Sequence, residues 1–145
     1  MHITRYTDYS LRVLIYLSTS GDQLTTIKQI SDSYGISRNH LMKVVHQLNK
    51  KGYIETIRGK KGGMKLRMQP ADINIGVLVR ETEQDLSVVE CLTGNDRCRI
   101  SPVCGLKGMF SEAIEAFLKT LDQYTLEDVI PEAYRTQLLR LLQIA

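Results

Sequence analysis

The chain has 145 residues, 43% hydrophobic and 24% charged, with a net charge of +3 at pH 7. That length suits one compact domain, or a small domain with a dimerising extension, and a core of this size needs no disulfide staple. The longest apolar run, Val13 to Leu17, is five residues, which excludes a membrane-spanning helix, and no basic-then-apolar signal opens the chain, so a soluble cytoplasmic protein is expected.

The net charge conceals an asymmetry. Residues 1–70 carry twelve Lys/Arg and four Asp/Glu, a balance of +8, whereas residues 71–145 carry seven and twelve, a balance of −5. A basic half joined to an acidic half suggests that only the first faces a polyanion. Charge alone would equally serve solubility, so the elements must decide.

Residues 7–19 read as a helix, with Tyr9, Val13, Tyr16 and Leu17 at helical spacing. Gly21 and Asp22 end it. Thr26, with Gln29 three residues on, forms a capping box for a short second helix that buries Ile27 and Ile30. Tyr34-Gly35-Ile36 is a tight turn in which Gly35 takes a positive φ. Ser37 then caps a third helix. There Leu41, Val44, Val45 and Leu48 form one apolar stripe, and Asn39, Lys43, His46 and Lys50 point away from it. Gly52 supplies the stop.

A hairpin follows. Tyr53–Arg58 is β-branched and aromatic, and Met64, Leu66 and Met68 alternate with Lys65 and Arg67. Gly59-Lys60-Lys61-Gly62-Gly63 joins the strands and sets two charges on the tip. A helix-turn-helix followed by a basic-tipped hairpin is a winged helix. Pro70 and Asp72 lead into a helix with Ile75, Leu78 and Val79 on one face. Residues 85–104 lack periodicity and read as a ligand-bearing loop. From Leu106 to Leu121 a long helix carries Leu106, Phe110, Ala113, Phe117 and Leu121 in one stripe, widened by Met109, Ile114 and Leu118. So much apolar surface calls for a partner, either this chain's own core or a second copy, dimerisation being the sharper reading. Thr125, Pro131 and a Leu-rich tail suggest a short last helix. The expected class is mainly α with one small β-hairpin: a reading domain over 1–70, a connecting helix and cysteine loop over 71–104, and a dimerisation helix with its tail over 105–145.

The third helix suits the major groove of B-DNA. Arg38, Asn39 and Lys43 are the candidates for base contacts, flanked by Ser37 and His40. Arg58, Lys60 and Lys61 suit phosphates or the minor groove. The bland alternative is an amphipathic helix with a solvated basic face. The ordered succession of cap, turn, helix and wing favours DNA.

The only cysteines are Cys91, Cys98 and Cys104, with six residues between the first two and five between the second pair. Three do not make a disulfide framework, and the short pairs favoured by zinc are missing. Inert thiols, a thiol-redox sensor and an iron–sulfur cluster all stay open on spacing alone. A cluster on three thiolates needs a fourth ligand. Glu90 and Asp96 are local candidates and Asp8 a distant one; His46, on the outer face of the third helix, is better placed for DNA or water. No paired carboxylates, nucleophile elbow or phosphate loop points to an enzyme, and Gly62-Gly63 in a wing is no nucleotide cradle. A DNA-binding protein without signal input would leave the cysteines unexplained.

Tyr6-Thr7-Asp8-Tyr9-Ser10-Leu11-Arg12, Ser37 to Val45, Ile57 to Gly63, Asp72 to Gly76, Val89-Glu90-Cys91 and Ile100 to Leu106 together resemble the winged-helix iron–sulfur regulators, and within them the nitric-oxide-sensing repressors. The resemblance spans roughly residues 1–130. It implies a homodimer crossing through the long helix, an iron–sulfur cluster of the 4Fe–4S type in preference to 2Fe–2S, and Cys91, Cys98 and Cys104 as ligands. It also implies that Asp8 reaches over from the partner subunit as fourth ligand, although on its own Asp8 reads as a solvent-exposed helix cap, Asp being common in a first turn. The cluster-biogenesis branch of the family has five residues between its first two cysteines and a histidine ligand; six residues and Asp8 stand here. The implied function is a repressor that binds a palindromic operator and releases it when nitric oxide attacks the cluster, the alternative being a sensor of iron–sulfur or thiol-redox status on the same scaffold.

Overall fold

The computed structural model describes residues 2–145. Helix α1 (Arg5–Ser20) starts two residues before the predicted point. Thr4 caps it, its hydroxyl accepting from the Thr7 amide at 3.4 Å. The helix buries Val13, Leu14 and Leu17 almost completely. Its small polar residues are satisfied locally: the Ser10, Thr19 and Ser20 hydroxyls donate to the carbonyls of Tyr6, Ile15 and Tyr16. α1 is therefore a central rod, packed against the helix-turn-helix, the wing and the C-terminal helices.

Helix α2 (Ile27–Tyr34) has both halves of the Thr26–Gln29 capping box, and Gly35 ends it at φ 65°, ψ 32°. Helix α3 (Arg38–Lys50) follows. Ser37 stands at its N-cap position, but the side chain makes no capping hydrogen bond; only its carbonyl, accepting from the Leu41 amide at 3.1 Å, serves the helix. The expected stripe is the buried one, with Leu41 and Leu48 fully enclosed. Gly52, at φ 85°, turns the chain into strand β1 (Ile54–Ile57), which pairs antiparallel with β2 (Gly63–Leu66), Ile54 opposite Leu66 and Ile57 opposite Gly63. Two backbone bonds between Thr25 and Met64, 2.9 and 2.8 Å, fasten this wing to the start of α2.

A 3-10 turn at Pro70–Asp72 precedes helix α4 (Ile75–Thr82). Asn74 is its cap, accepting from the Val77 amide at 3.0 Å. Helix α5 (Leu106–Leu121) follows the cysteine loop and contains no buried residue. The tail forms two short helices, α6 (Leu126–Val129) and α7 (Arg135–Leu141), separated by Pro131. Leu126 and Leu142 enter the main core, and the Ser33 hydroxyl donates to the Leu142 carbonyl at 2.6 Å. The tail thus returns to the helix-turn-helix. Burying a leucine of this kind contributes about 1.5–3 kcal/mol. No helix among the described residues is long and apolar enough to cross a membrane.

Candidate nucleic-acid interface and cysteine loop

The α3 stripe turns the opposite face of the helix outward. Ser37, Arg38, Asn39, His40 and Lys43 are all exposed, as are Arg58, Lys60 and Lys61 on the wing. Among the described residues none of the five cations is held in an ion pair; Lys28 is, to Asp32 at 2.6 Å, and so is Lys65, to Glu55 at 3.3 Å. Between α3 and the wing runs an open groove of about 570 Å³ whose lining includes Lys28, Arg38, Met42, Ile57 and Arg58. Met42 and Ile57 are exposed large apolar residues within that basic surround, a combination suited to a sugar–phosphate strand and to thymine methyl groups. Sequence reasoning passed over both, because an apolar side chain beside a stripe looks like its edge. His40 has a neighbour that no sequence pattern predicts: its ring centroid lies 6.1 Å from that of Tyr9, tilted by 41°. Tyr9 follows Asp8 directly, so the start of α3 rests on the Asp8 turn of α1.

Asp8 itself is not a cap, since Thr4 takes that place. Its carboxylate is paired with Arg12 one turn on, with both bonds at 3.1 Å and both side chains about two-fifths exposed. Arg12 also lies over the Tyr34 ring, 5.8 Å from its centroid. Burial pushes the Tyr34 hydroxyl up to about 12, so the ring faces Arg12 uncharged at neutral pH.

All three thiols are free; Cys91 and Cys104 are partly buried and Cys98 is exposed. Cys91 lies in a 3-10 turn, Glu90–Leu92, with Glu90 exposed beside it. Asp96 accepts from the Cys98 amide at 3.0 Å and from the Ser101 hydroxyl. Those bonds, the Ser101 hydroxyl first, hold its carboxyl below the ordinary range. Asp96 is therefore engaged in shaping the turn around Cys98. Among the described residues no three His, Cys, Asp or Glu side chains stand close enough together to hold a metal ion. The loop brings the thiols into one segment without converging them, and Asp8 lies on a different element. As a donor set, three free thiols and no neighbouring histidine suit iron and sulfide better than a hard cation.

A capped helix-turn-helix with unpaired cations on its outer face and on a short wing is the architecture of a winged-helix transcription regulator. Comparison with known proteins gives the family. Residues 3–132 match the Rrf2 model, described as an iron-dependent transcriptional regulator, and the chain belongs to that family. It is 54% identical over 132 residues to the HTH-type transcriptional regulator NsrR of Bacillus licheniformis, covering 90% of this chain and 92% of that one. It is 55% identical over 132 residues to NsrR of Bacillus subtilis, covering 90% of each. Among solved structures it is similar to CymR (YrzC), the global cysteine regulator of B. subtilis, with a TM-score of 0.71, 28% identity and coverage of 89% and 95%. It shares the fold of T. potens IscR, with a TM-score of 0.74, 22% identity and coverage of 94% and 91%. These relatives are regulators of transcription, not enzymes.

Proposed function

We propose that the chain is a cytoplasmic, homodimeric repressor that binds a palindromic operator, carries an iron–sulfur cluster on Cys91, Cys98 and Cys104, and releases DNA in response to nitric oxide. The supporting observation is that the only three cysteines, all free, fall on one loop between the DNA-reading head and a helix that has no buried residue and leaves Leu106, Met109 and Phe117 exposed. When bound, a cluster (4Fe–4S in this reading) would supply reactivity toward nitric oxide that no side chain has.

The remaining work falls to the chain's own residues. Cys91, Cys98 and Cys104 would hold the group from one subunit. Asp8 of the other subunit would leave Arg12 to complete the set; an exposed ion pair is worth only about 0–1 kcal/mol, so the exchange would cost little. Arg12 keeps its place over Tyr34. Fixing α1 of one subunit to the loop of the other sets the spacing of the two α3 helices, because α1 carries Tyr9 against His40. Two half-sites roughly 34 Å apart then receive Arg38, Asn39 and Lys43 in successive major grooves. Ser37 and His40 flank those contacts, and Arg58, Lys60 and Lys61 meet phosphates. Leu106, Met109 and Phe117, each exposed on α5, meet the partner's copy. In this assignment residues 1–70 read, 71–104 sense and 105–145 dimerise.

The test is anaerobic purification with iron and sulfide assays, then operator affinity of the loaded, nitric-oxide-treated and metal-free protein. A coupling of ~1–3 kcal/mol separates loaded from treated protein by about fivefold or more. Equal affinities in all three states would refute the proposal.

A further inference from the structure

Where the cysteine loop leaves α4, three consecutive residues bind it to distant parts of the chain. Glu81 accepts from the Tyr53 hydroxyl at 2.5 Å, at the entrance to the wing. The Thr82 hydroxyl accepts from the Thr7 hydroxyl at 2.8 Å and donates to the Leu78 carbonyl at 2.8 Å. Glu83 accepts from both the amide and the hydroxyl of Thr4, at 2.8 and 2.9 Å. These partners are 28, 75 and 79 residues apart in sequence, so each bond joins separate elements. Thr7, Thr82 and Glu83 are 0%, 2% and 8% exposed.

The placement is specific. Asp85, the first residue of the predicted loop, lies two residues beyond Glu83. Thr4 and Thr7 frame the first turn of α1, next to Asp8 and to Tyr9, whose ring meets His40 of α3. Tyr53 lies between α3 and β1, directly before the strand, and is itself 6% exposed. A displacement of the loop root must therefore carry the start of α1 and the wing entrance with it, or else strand buried hydroxyls and a carboxylate without partners, which is penalised far more than an exposed break. A mere staple for the fold would not need to sit at the one place where the loop, the Asp8 turn and the wing entrance meet.

We propose that Glu81, Thr82 and Glu83 form a positioning node that couples the cysteine loop to the DNA-reading elements through Thr4, Thr7 and Tyr53. The inference rests on the reading above in making that loop the sensing element. Coupling is reciprocal: whatever the loop does to DNA affinity, bound DNA must do to the loop. The consequence is testable without any cluster.

The experiment uses the full-length, metal-free protein and a duplex selected from a random pool by its binding to that protein, with amide hydrogen exchange as readout. In the parent, duplex binding slows exchange across residues 85–104 by about fivefold or more. In Thr7→Val/Thr82→Val, which keeps the side-chain shapes and removes both hydroxyls, the DNA-dependent protection disappears while the duplex still binds. Tyr53→Phe gives the same result at the wing tie and replaces the double variant should that one fail to fold. Glu83→Gln keeps an acceptor for the Thr4 amide and retains the protection, which a purely charge-based staple would not. Undiminished loop protection in the hydroxyl-free variants overturns the node, and so does a parent loop indifferent to DNA. Equal affinities of loaded and metal-free parent, with loop protection still dependent on the node, would remove the sensing reading and leave the node standing. A loaded-to-free affinity ratio unchanged by Thr7→Val/Thr82→Val would remove the node and leave the sensing reading.

Discussion

Replacing Lys60 and Lys61 by alanine isolates the tip of the wing. Both residues lie between Ile57 and Gly63, the last paired positions of the hairpin. Both are exposed and outside the ion pairs that occupy Lys28 and Lys65, so their charge is available to displace counterions from DNA. Each phosphate neutralised contributes about 0.9 to the slope of log K against log salt. In the proposed dimer, two lysines in each subunit would reach about four phosphates, and removing them would flatten the slope by about 3.6. Across 50–200 mM salt that is roughly a hundredfold loss of salt sensitivity. Fluorescence anisotropy of a labelled operator, titrated at several potassium chloride concentrations, measures it. Lys119→Ala is the control: that lysine lies on α5, 3.9 Å from Glu115, and its loss leaves the slope alone. A change of about 1.8 would mean one lysine per subunit at phosphate. An unchanged slope refutes the placement of the wing on the DNA backbone and leaves α3 to carry the interface alone.

Three further outcomes follow from the packing and the charges. A Cβ on Gly76 would come within 2.8 Å of the Asp122 amide nitrogen, where Arg80 holds Asp122 through two bonds of 2.5 and 2.8 Å; Gly76→Ala should lower stability by about 1–3 kcal/mol in urea titration, and an unchanged midpoint would contradict the close approach. Phe117→Glu places a charge on the uncovered face of α5 and should yield a folded monomer in sedimentation equilibrium, since no residue of that helix is buried within its own chain; a persisting dimer would move the interface elsewhere. Burial pushes the Glu83 carboxyl up, but the hydrogen-bond donors around it, the Thr4 amide and hydroxyl among them, outweigh it and hold the group below its ordinary value of 4.5. A group shifted in that direction stabilises the fold above 4.5 and loses the contribution as pH falls through its lower folded value; thermal melts of parent and Glu83→Gln should therefore converge on acidification, and parallel curves would show that the charge contributes nothing.

The parts of the fold legible in the sequence are those decided within one or two helical turns. Thr26 and Gln29 are three residues apart, the α3 stripe repeats every three to four, and Gly35 and Gly52 have the positive φ that their turns demand. Ser37 shows the limit of such reasoning: a serine at the right position leaves its hydroxyl unused, because capping is a preference that solvent or a ligand can outbid. At α4 the cap falls to Asn74, beyond the 3-10 turn that takes Pro70 and Asp72. The ties from Thr4 to Glu83 and from Thr7 to Thr82 span most of the chain and leave no periodic trace. The Leu-rich tail was equally opaque, since an amphipathic segment does not announce which surface will take it; Leu142 reaches the main core only because α6 and α7 fold back over α1. In the cysteine loop, spacing alone left several chemistries open, and the resemblance supplied the preference.

The distribution of polar interactions around α1 matches the two demands made on a switch of this kind. A ligand that must be recruited from the partner and later given up has to be cheaply available. As the fourth ligand proposed above, Asp8 would meet that condition: its pairing with Arg12 is exposed and weak, and Arg12 has the Tyr34 ring to rest on afterwards. A transmitting contact must instead survive the movement it passes on. The Thr7–Thr82 bond meets that condition, being buried and therefore costly to strand, and Thr4 adds two part-buried bonds to the nearly enclosed Glu83. Were the arrangement reversed, with Asp8 buried and the loop root tied by exposed pairs, cluster binding would compete against a strong native contact and its effect would dissipate before reaching α3. In the proposed switch the first turn of α1 holds a loose carboxylate one residue from the enclosed Thr7 hydroxyl, and that contrast in burial would allow a change of a few kcal/mol at the loop to be felt at the reading face.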